Sequence, residues 1–134
     1  MIINKTMNRR NTIQKQIVLD VVNKRHDHPS AEQIYEDVVK AHPRISLATV
    51  YRNLSVLSDE GKILRINLSD SDRFDFNISK HNHFYCESCG KVYDVDFLYD
   101  ESLDDIEISN GFYIRTHQTI FRGLCSNCLN KNLK

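Results

Sequence analysis

Tryptophan is absent from these 134 residues, proline and methionine occur twice each, and glycine four times. So little Pro and Gly excludes a low-complexity or linker-dominated chain, and Leu, Ile and Val are plentiful enough for a packed core. Long apolar runs are also missing: none approaches the ~18 residues of a membrane-spanning helix. The opening M-I-I-N-K-T-M-N-R-R lacks the apolar core and cleavage site of a secretion signal, so a cytoplasmic protein is expected. Net charge is zero, with 18 basic and 18 acidic residues, but the zero conceals a split. Residues 1–73 carry twelve Lys/Arg against nine Asp/Glu, and residues 74–134 carry six against nine. The first part is therefore the better polyanion binder. Cysteine is confined to four residues, all in two C-x-x-C pairs, Cys86/Cys89 and Cys125/Cys128.

What is present divides into two units. Residues 1–11 are polar and basic, either a flexible arm or the start of a helix. From Thr12, a candidate N-cap, to Asn23 the residues Ile13, Ile17, Val18, Val21 and Val22 recur with helical spacing. S-A-E-Q at 30–33 is a capping box opening a second helix, with Ile34 and Val38 on its apolar face and His42-Pro43 at its end. Ser46 caps a third helix whose Leu47, Val50, Leu54 and Leu57 point one way, and Gly61 stops it. K-I-L-R-I-N-L and R-F-D-F-N then alternate about a turn. Three helices, a short connection before the third, and a hairpin predict a winged helix-turn-helix over 1–77. A hinge is expected at 77–80, and a small α/β unit over 81–134, so the fold class is α+β. Within that unit F-Y-C and K-V-Y-D-V-D read as strands around E-S-C-G, Phe97–Ile106 as a helix, and 112–123 as one strand or two.

The four cysteines have the spacing of a tetrahedral zinc site without an open position, which holds a fold together and leaves no room for substrate. A redox dithiol or two disulfides are the competing readings. Next to the first pair lies an N/O set. His81 and His83 alternate across one residue and point to one side of a strand, while Asp75 precedes them and Asp94 follows Cys89 by five residues. Imidazole with carboxylate suits Fe(II), Mn(II) or Zn(II), and His28, ahead of the second helix, is a candidate fifth ligand. The plainer readings are packing histidines, an Asp75 paired with Arg73 or Arg115, and a loop His28. A recognition helix places its first residues in the major groove, here Ser46, Ala48, Thr49, Tyr51 and Arg52. Lys15, Lys62 and Arg65 are candidates for phosphate contacts. Core packing is the plainer reading of Tyr51.

H-P-S-A-E-Q-I-Y at 28–35, A-T-V-Y-R-N-L at 48–54, L-S-D-E-G at 57–61, R-F-D at 73–75, H-N-H-F-Y-C-E-S-C-G-K at 81–91, His117 and C-S-N-C at 125–128 together resemble the ferric uptake regulator family of metal-dependent transcriptional regulators. The resemblance covers nearly the whole chain and is closest to the family's peroxide-sensing branch. It implies a homodimer, with an N-terminal winged-helix DNA-binding domain and a C-terminal α/β dimerisation domain, that represses transcription from a two-fold symmetric operator. It implies structural Zn(II) on Cys86, Cys89, Cys125 and Cys128. It also implies a regulatory Fe(II) or Mn(II) on His28, Asp75, His81, His83 and Asp94.

Asp75 carries the branch assignment, since iron-uptake members usually have Glu there. The branch implies that peroxide reacting at Fe(II) oxidises His28 or His81 to 2-oxo-histidine and releases DNA. Lys80 and Asn82 stand where iron-uptake members often build a further metal site, and Glu101 and His117 are candidate remnants of it. Two alternatives remain: a sensor of iron, manganese or zinc availability without peroxide chemistry, and a zinc-dependent hydrolase at the N/O site. The first reading has no enzymatic activity, no small-molecule substrate and no membrane partner.

Overall fold

The computed structural model describes residues 2–95 and 99–132. They form two compact units, Met1–Ile78 and Ser79–Lys134. The first is an N-terminal winged helix-turn-helix and the second a small α/β unit built on a sheet. Among the described residues no helix is long and apolar enough to cross a membrane.

In the first unit, helix α1 spans Ile2–Lys24, α2 Ala31–Ala41 and α3 Leu47–Asp59. The basic opening residues are thus the start of α1, and Thr12 sits in mid-helix rather than at its N-cap. Polar residues there hid the helix, because its first three turns have no continuous apolar stripe to mark it. Ser30 caps α2 as the sequence predicts: its hydroxyl accepts from the Gln33 amide at 3.3 Å, and Gln33 Oε1 accepts from the Ser30 amide at 2.9 Å. Ser46 caps α3 by accepting from the Thr49 amide at 3.1 Å. Gly61, at φ 73°, takes the left-handed conformation that ends it.

The apolar faces of the three helices meet in a core of Val18, Val22, Ala31, Ile34, Val38, Ile45, Val50, Leu54 and Leu57, closed by Ile63 and Phe74. Strands β1 (Leu64–Ile66) and β2 (Arg73–Asp75) pair antiparallel as the wing, with Leu64 opposite Asp75. The segment before α2 is stitched to the outer side of this wing. Ser30 bridges to Arg73, and the Phe74 amide donates to the Pro29 carbonyl at 2.9 Å. These bonds fix His28 beside β2.

In the second unit β3 (Asn82–Cys86) lies between β4 (Val92–Val95), antiparallel, and β7 (Ile120–Gly123), parallel. The register sets His83 opposite Asp94 and Cys86 opposite Gly123. The 112–123 stretch is indeed broken, into β6 (Tyr113–Ile114), which pairs with β5 (Ile106–Glu107), and β7. The helix expected over Phe97–Ile106 is not there. Phe97 and Leu98 lie outside the described residues, and the remainder is a 3-10 turn at Glu101–Leu103 followed by β5. Asp100 caps the start of that turn through the Ser102 amide, and Asp105, at a left-handed φ of 52°, stops it from propagating into a helix. Helix α4 (Ser126–Asn132) begins inside the second C-x-x-C pair.

Leu54 is fully buried at the meeting of the three helices, whereas Val56, two residues on, is 38% exposed. Leu54→Ala is expected to lower stability by about 3 kcal/mol and Val56→Ala by roughly 0.5 kcal/mol or less, measured by urea unfolding of the zinc-loaded protein.

Candidate metal centres and nucleic-acid interface

The tight turn after β3 brings Cys86 and Cys89 together, and β7 delivers Cys125 and Cys128 beside them. The four sulfur atoms lie within 4.8 Å of one another. None is in a disulfide, and Cys89 Sγ and Cys125 Sγ are 3.9 Å apart, well beyond a sulfur–sulfur bond. Gly90, at φ 75°, lets the knuckle fold back so that its amide reaches the Cys86 carbonyl at 2.9 Å. Cys86 Sγ accepts from the amides of Cys89 at 3.5 Å and Cys125 at 3.4 Å. Those two amides, Cys89 foremost, draw its thiol down to about 6, so the thiolate that a metal needs is favoured before any metal arrives. Cys125 is also lowered, chiefly by the Cys128 amide and with help from the Tyr93 hydroxyl. Four convergent sulfurs, one held as thiolate by backbone N–H groups, fit zinc.

The N/O residues fall into two sets, one in each unit. In the first unit His28 Nε2 stands 3.3 Å from Asp75 Oδ2, with both side chains buried. His28 has φ 54°, a left-handed backbone uncommon for a residue with a Cβ, and the bond from Arg73 Nη1 to its carbonyl at 3.4 Å helps hold it there. The second Asp75 oxygen accepts from the Asn77 amide at 2.9 Å.

In the second unit the β3–β4 register sets Asp94 against both imidazoles. His81 Nε2 is 3.0 Å and His83 Nε2 3.2 Å from the same oxygen, Asp94 Oδ1. His81 Nδ1 lies 2.6 Å from the Ser79 carbonyl, which can only accept, so Nδ1 carries a proton and Nε2 is the nitrogen left to bind a metal. Without a metal, a proton on Nε2 bridges it to Asp94; a divalent ion on nitrogen and oxygen donors would take that proton's place.

Glu101 and His117 do not meet. Glu101 is exposed on the 3-10 turn, while His117 Nδ1 bonds Asp104 Oδ1 at 2.8 Å and its ring stacks on Tyr99 with centroids 4.6 Å apart. Asp104 is an acid that the sequence reading passed over. Its carboxylate also accepts from the Tyr99 hydroxyl at 2.6 Å and from Lys80 Nζ at 3.2 Å. In sequence it is one of several aspartates in an acidic stretch, and only the tertiary structure singles it out.

On α3, Ala48, Tyr51 and Arg52 are exposed, as are Ser46 ahead of the helix and Lys62 after it. Tyr51 is not core: it is 44% exposed, and its hydroxyl donates to Glu32 Oε1 at 2.5 Å, a partner on α2 that the sequence did not disclose. Ser46 and Thr49 bond each other at the helix N-cap. Lys15 Nζ reaches both Glu60 carboxylate oxygens at 3.1 Å. Arg65 bonds Ser55 at 2.7 Å, pairs with Asp72 at 3.7 Å and lies over the Phe74 ring, so it is occupied within the wing.

A winged helix followed by a sheet unit with a four-thiol cluster and a histidine–carboxylate pair on facing strands defines a metal-binding regulator of transcription. The model of the ferric uptake regulator family matches residues 6–122, and the chain belongs to that family. It is accordingly a DNA-binding transcriptional regulator that acts as a dimer, and not an enzyme. The peroxide-responsive repressor PerR of Staphylococcus aureus (strain NCTC 8325 / PS 47) is 39% identical over 125 residues, which span 90% of this chain and 82% of that protein. The crystal structure of the Campylobacter jejuni peroxide stress regulator is similar at a TM-score of 0.74 and 31% identity, over 94% of this chain and 96% of that one. The Helicobacter pylori ferric uptake regulator Fur shares the fold, at a TM-score of 0.67 and 23% identity over 87% of this chain and 79% of its own.

Asp104 gives the site region a pH signature. The Tyr99 hydroxyl first, then His117 and Lys80, hold its carboxyl well below the usual carboxylate range against the opposing effect of burial. A carboxylate depressed in the folded state contributes stability that is present above its unfolded value of 3.8 and is lost as pH falls through the interval below it. Asp104→Asn is therefore expected to lower stability most above about pH 5, with the difference from wild type shrinking by about pH 3, as read from urea unfolding at each pH.

Proposed function

We propose that this chain is a cytoplasmic, homodimeric, metal-dependent repressor whose signal is peroxide. The observation that carries the reading is the pair of imidazoles, His81 and His83, on one Asp94 oxygen in the second unit, matched by the buried His28–Asp75 pair in the first. The proposed regulatory site takes His28 and Asp75 from the DNA-binding domain and His81, His83 and Asp94 from the dimerisation domain. Cys86, Cys89, Cys125 and Cys128 hold a structural zinc and take no part in sensing. Similarity to a peroxide-responsive repressor and to a peroxide stress regulator supports the choice of signal.

Asp75 and Asp94 supply negative charge to a divalent ion, and the imidazoles keep it acceptable to Fe(II) and Mn(II) alike. Fe(II) held there would supply electrons to cleave the oxygen–oxygen bond of hydrogen peroxide. The net change at the protein is one oxygen atom added to the carbon between the ring nitrogens of His28 or His81, giving 2-oxo-histidine, with water as the other product. A 2-oxo ring is a poorer ligand, so the oxidised chain would hold the metal less tightly and lose the coupling between its domains. In the metal-bound dimer α3 of each subunit enters the major groove of a two-fold symmetric operator. Ala48, Tyr51 and Arg52 meet base edges there. Ser46, Thr49 and Lys62 lie near the backbone, and Lys15 and Arg65 reach phosphate only if their present carboxylate partners yield.

The test compares operator binding by Mn(II)-loaded and Fe(II)-loaded dimers before and after a brief pulse of hydrogen peroxide. The Fe(II) form is expected to lose its DNA and to gain 16 mass units, that is about one oxygen atom, on the peptide carrying His28 or His81, while the Mn(II) form keeps both. Equal retention of DNA by the two forms would instead make the protein a sensor of metal availability.

A further inference from the structure

Among the described residues of the second unit, Asp104 is a buried carboxylate that has no place in either metal centre. Its side chain is 2% exposed, and it collects three donors from three separate segments: Tyr99 before the 3-10 turn, His117 before β7, and Lys80 at the entry to β3. Tyr99 stacks on His117, so these two partners brace each other. The ammonium of Lys80 pairs with this carboxylate at 3.2 Å, and its side chain remains half-exposed.

Lys80 directly precedes His81, and the Ser79 carbonyl on its other side receives the His81 Nδ1 proton at 2.6 Å. That bond keeps a proton on Nδ1 and leaves Nε2, 3.0 Å from Asp94, as the nitrogen a metal can take. Two residues flanking one backbone turn are thereby tied down, one by its side chain to Asp104 and the other by its carbonyl to the imidazole. A ligand ring held in a single tautomer binds metal more tightly than one that must first reorient, and outer partners of ligand histidines commonly have this effect.

We propose that Asp104 is a positioning residue for His81, acting through Lys80 to hold the Ser79 carbonyl against the imidazole Nδ1. The inference rests on the reading of His81 as a ligand of the regulatory metal. Asp104 itself touches no metal; it sets the turn that orients the ring.

The test uses the zinc-loaded full-length dimer with Lys80→Met, Lys80→Arg and Asp104→Asn. Lys80→Met is the principal variant, because a half-exposed side chain can be changed without emptying the buried site. Two readouts are taken. The first is the His81 ring tautomer from nitrogen NMR shifts without regulatory metal. The second is Mn(II) affinity from the free-ion paramagnetic resonance signal.

Wild type is expected to show a proton on Nδ1. Lys80→Met and Asp104→Asn are expected to show mixed tautomers and roughly tenfold weaker Mn(II) binding, with zinc content and dimerisation unchanged, and Lys80→Arg to restore both readouts. A wild-type tautomer and wild-type Mn(II) affinity in Lys80→Met would overturn the proposal, as would a wild-type ring with no proton on Nδ1. His81→Ala binding Mn(II) as well as wild type would remove the ligand reading instead, and the tautomer measurement would then decide the positioning role by itself.

Discussion

Two imidazole nitrogens held at 3.0 and 3.2 Å from one carboxylate oxygen need a proton or a metal ion on each nitrogen. In the second unit β3 and β4 impose this arrangement on His81, His83 and Asp94, because the register that pairs the strands also sets His83 opposite Asp94. Strand pairing therefore gathers three donor atoms in advance, and a divalent ion that displaces the ring protons finds them already converged. The first unit carries a smaller version of the same device, with His28 and Asp75 buried together. A metal that needs both sets to complete its shell binds better to the arrangement of domains that offers both. By linkage it shifts the population toward that arrangement.

For this to work each set must be rigid within its own unit. In the first, the wing does the holding: Pro29 and Ser30 are bonded to β2, the strand that ends in Asp75, so His28 and Asp75 move as one body with the helices. The left-handed φ of His28 is the backbone cost of aiming its ring at Asp75 from that position. In the second, the four cysteines tie the knuckle after β3 to the end of β7 and the start of α4. They surround the strand that carries the histidines without sharing a ligand with them. Structural and regulatory chemistry can thus be contiguous in sequence and separate in function.

Much of this was legible before any coordinates. The Ser30–Gln33 capping box, the Ser46 N-cap and the apolar periods identify α2 and α3, because local hydrogen bonds and one packed face determine those helices. The C-x-x-C spacing and the H-x-H beside it are local signals too, and the facing of His83 and Asp94 follows from a short hairpin. Three things were not legible, the first two for local reasons and the third for one of distance. The first turns of α1 lack an apolar stripe. The acidic stretch after residue 98 is held by Asp100, Asp105 and Tyr99 in turns rather than a helix. The partners of Lys15, Tyr51 and Asp104 come from elsewhere in the fold: Glu60 and Glu32 in the first unit, and Lys80 and His117 in the second. Side chains that read as solvent-facing cations or aspartates in sequence turn out to be engaged, and only the fold reveals it.

The central claim is that one metal couples the two units through His28. The most direct measurement is the gain in operator affinity on saturation with Mn(II), taken for wild type and for His28→Ala at one salt concentration, with zinc content and dimerisation verified in both. The account predicts a gain in wild type within the usual range of allosteric coupling, about 5- to 150-fold, and a gain of less than about twofold in His28→Ala. An undiminished gain in His28→Ala, or the same operator affinity with and without Mn(II) in wild type, would contradict it.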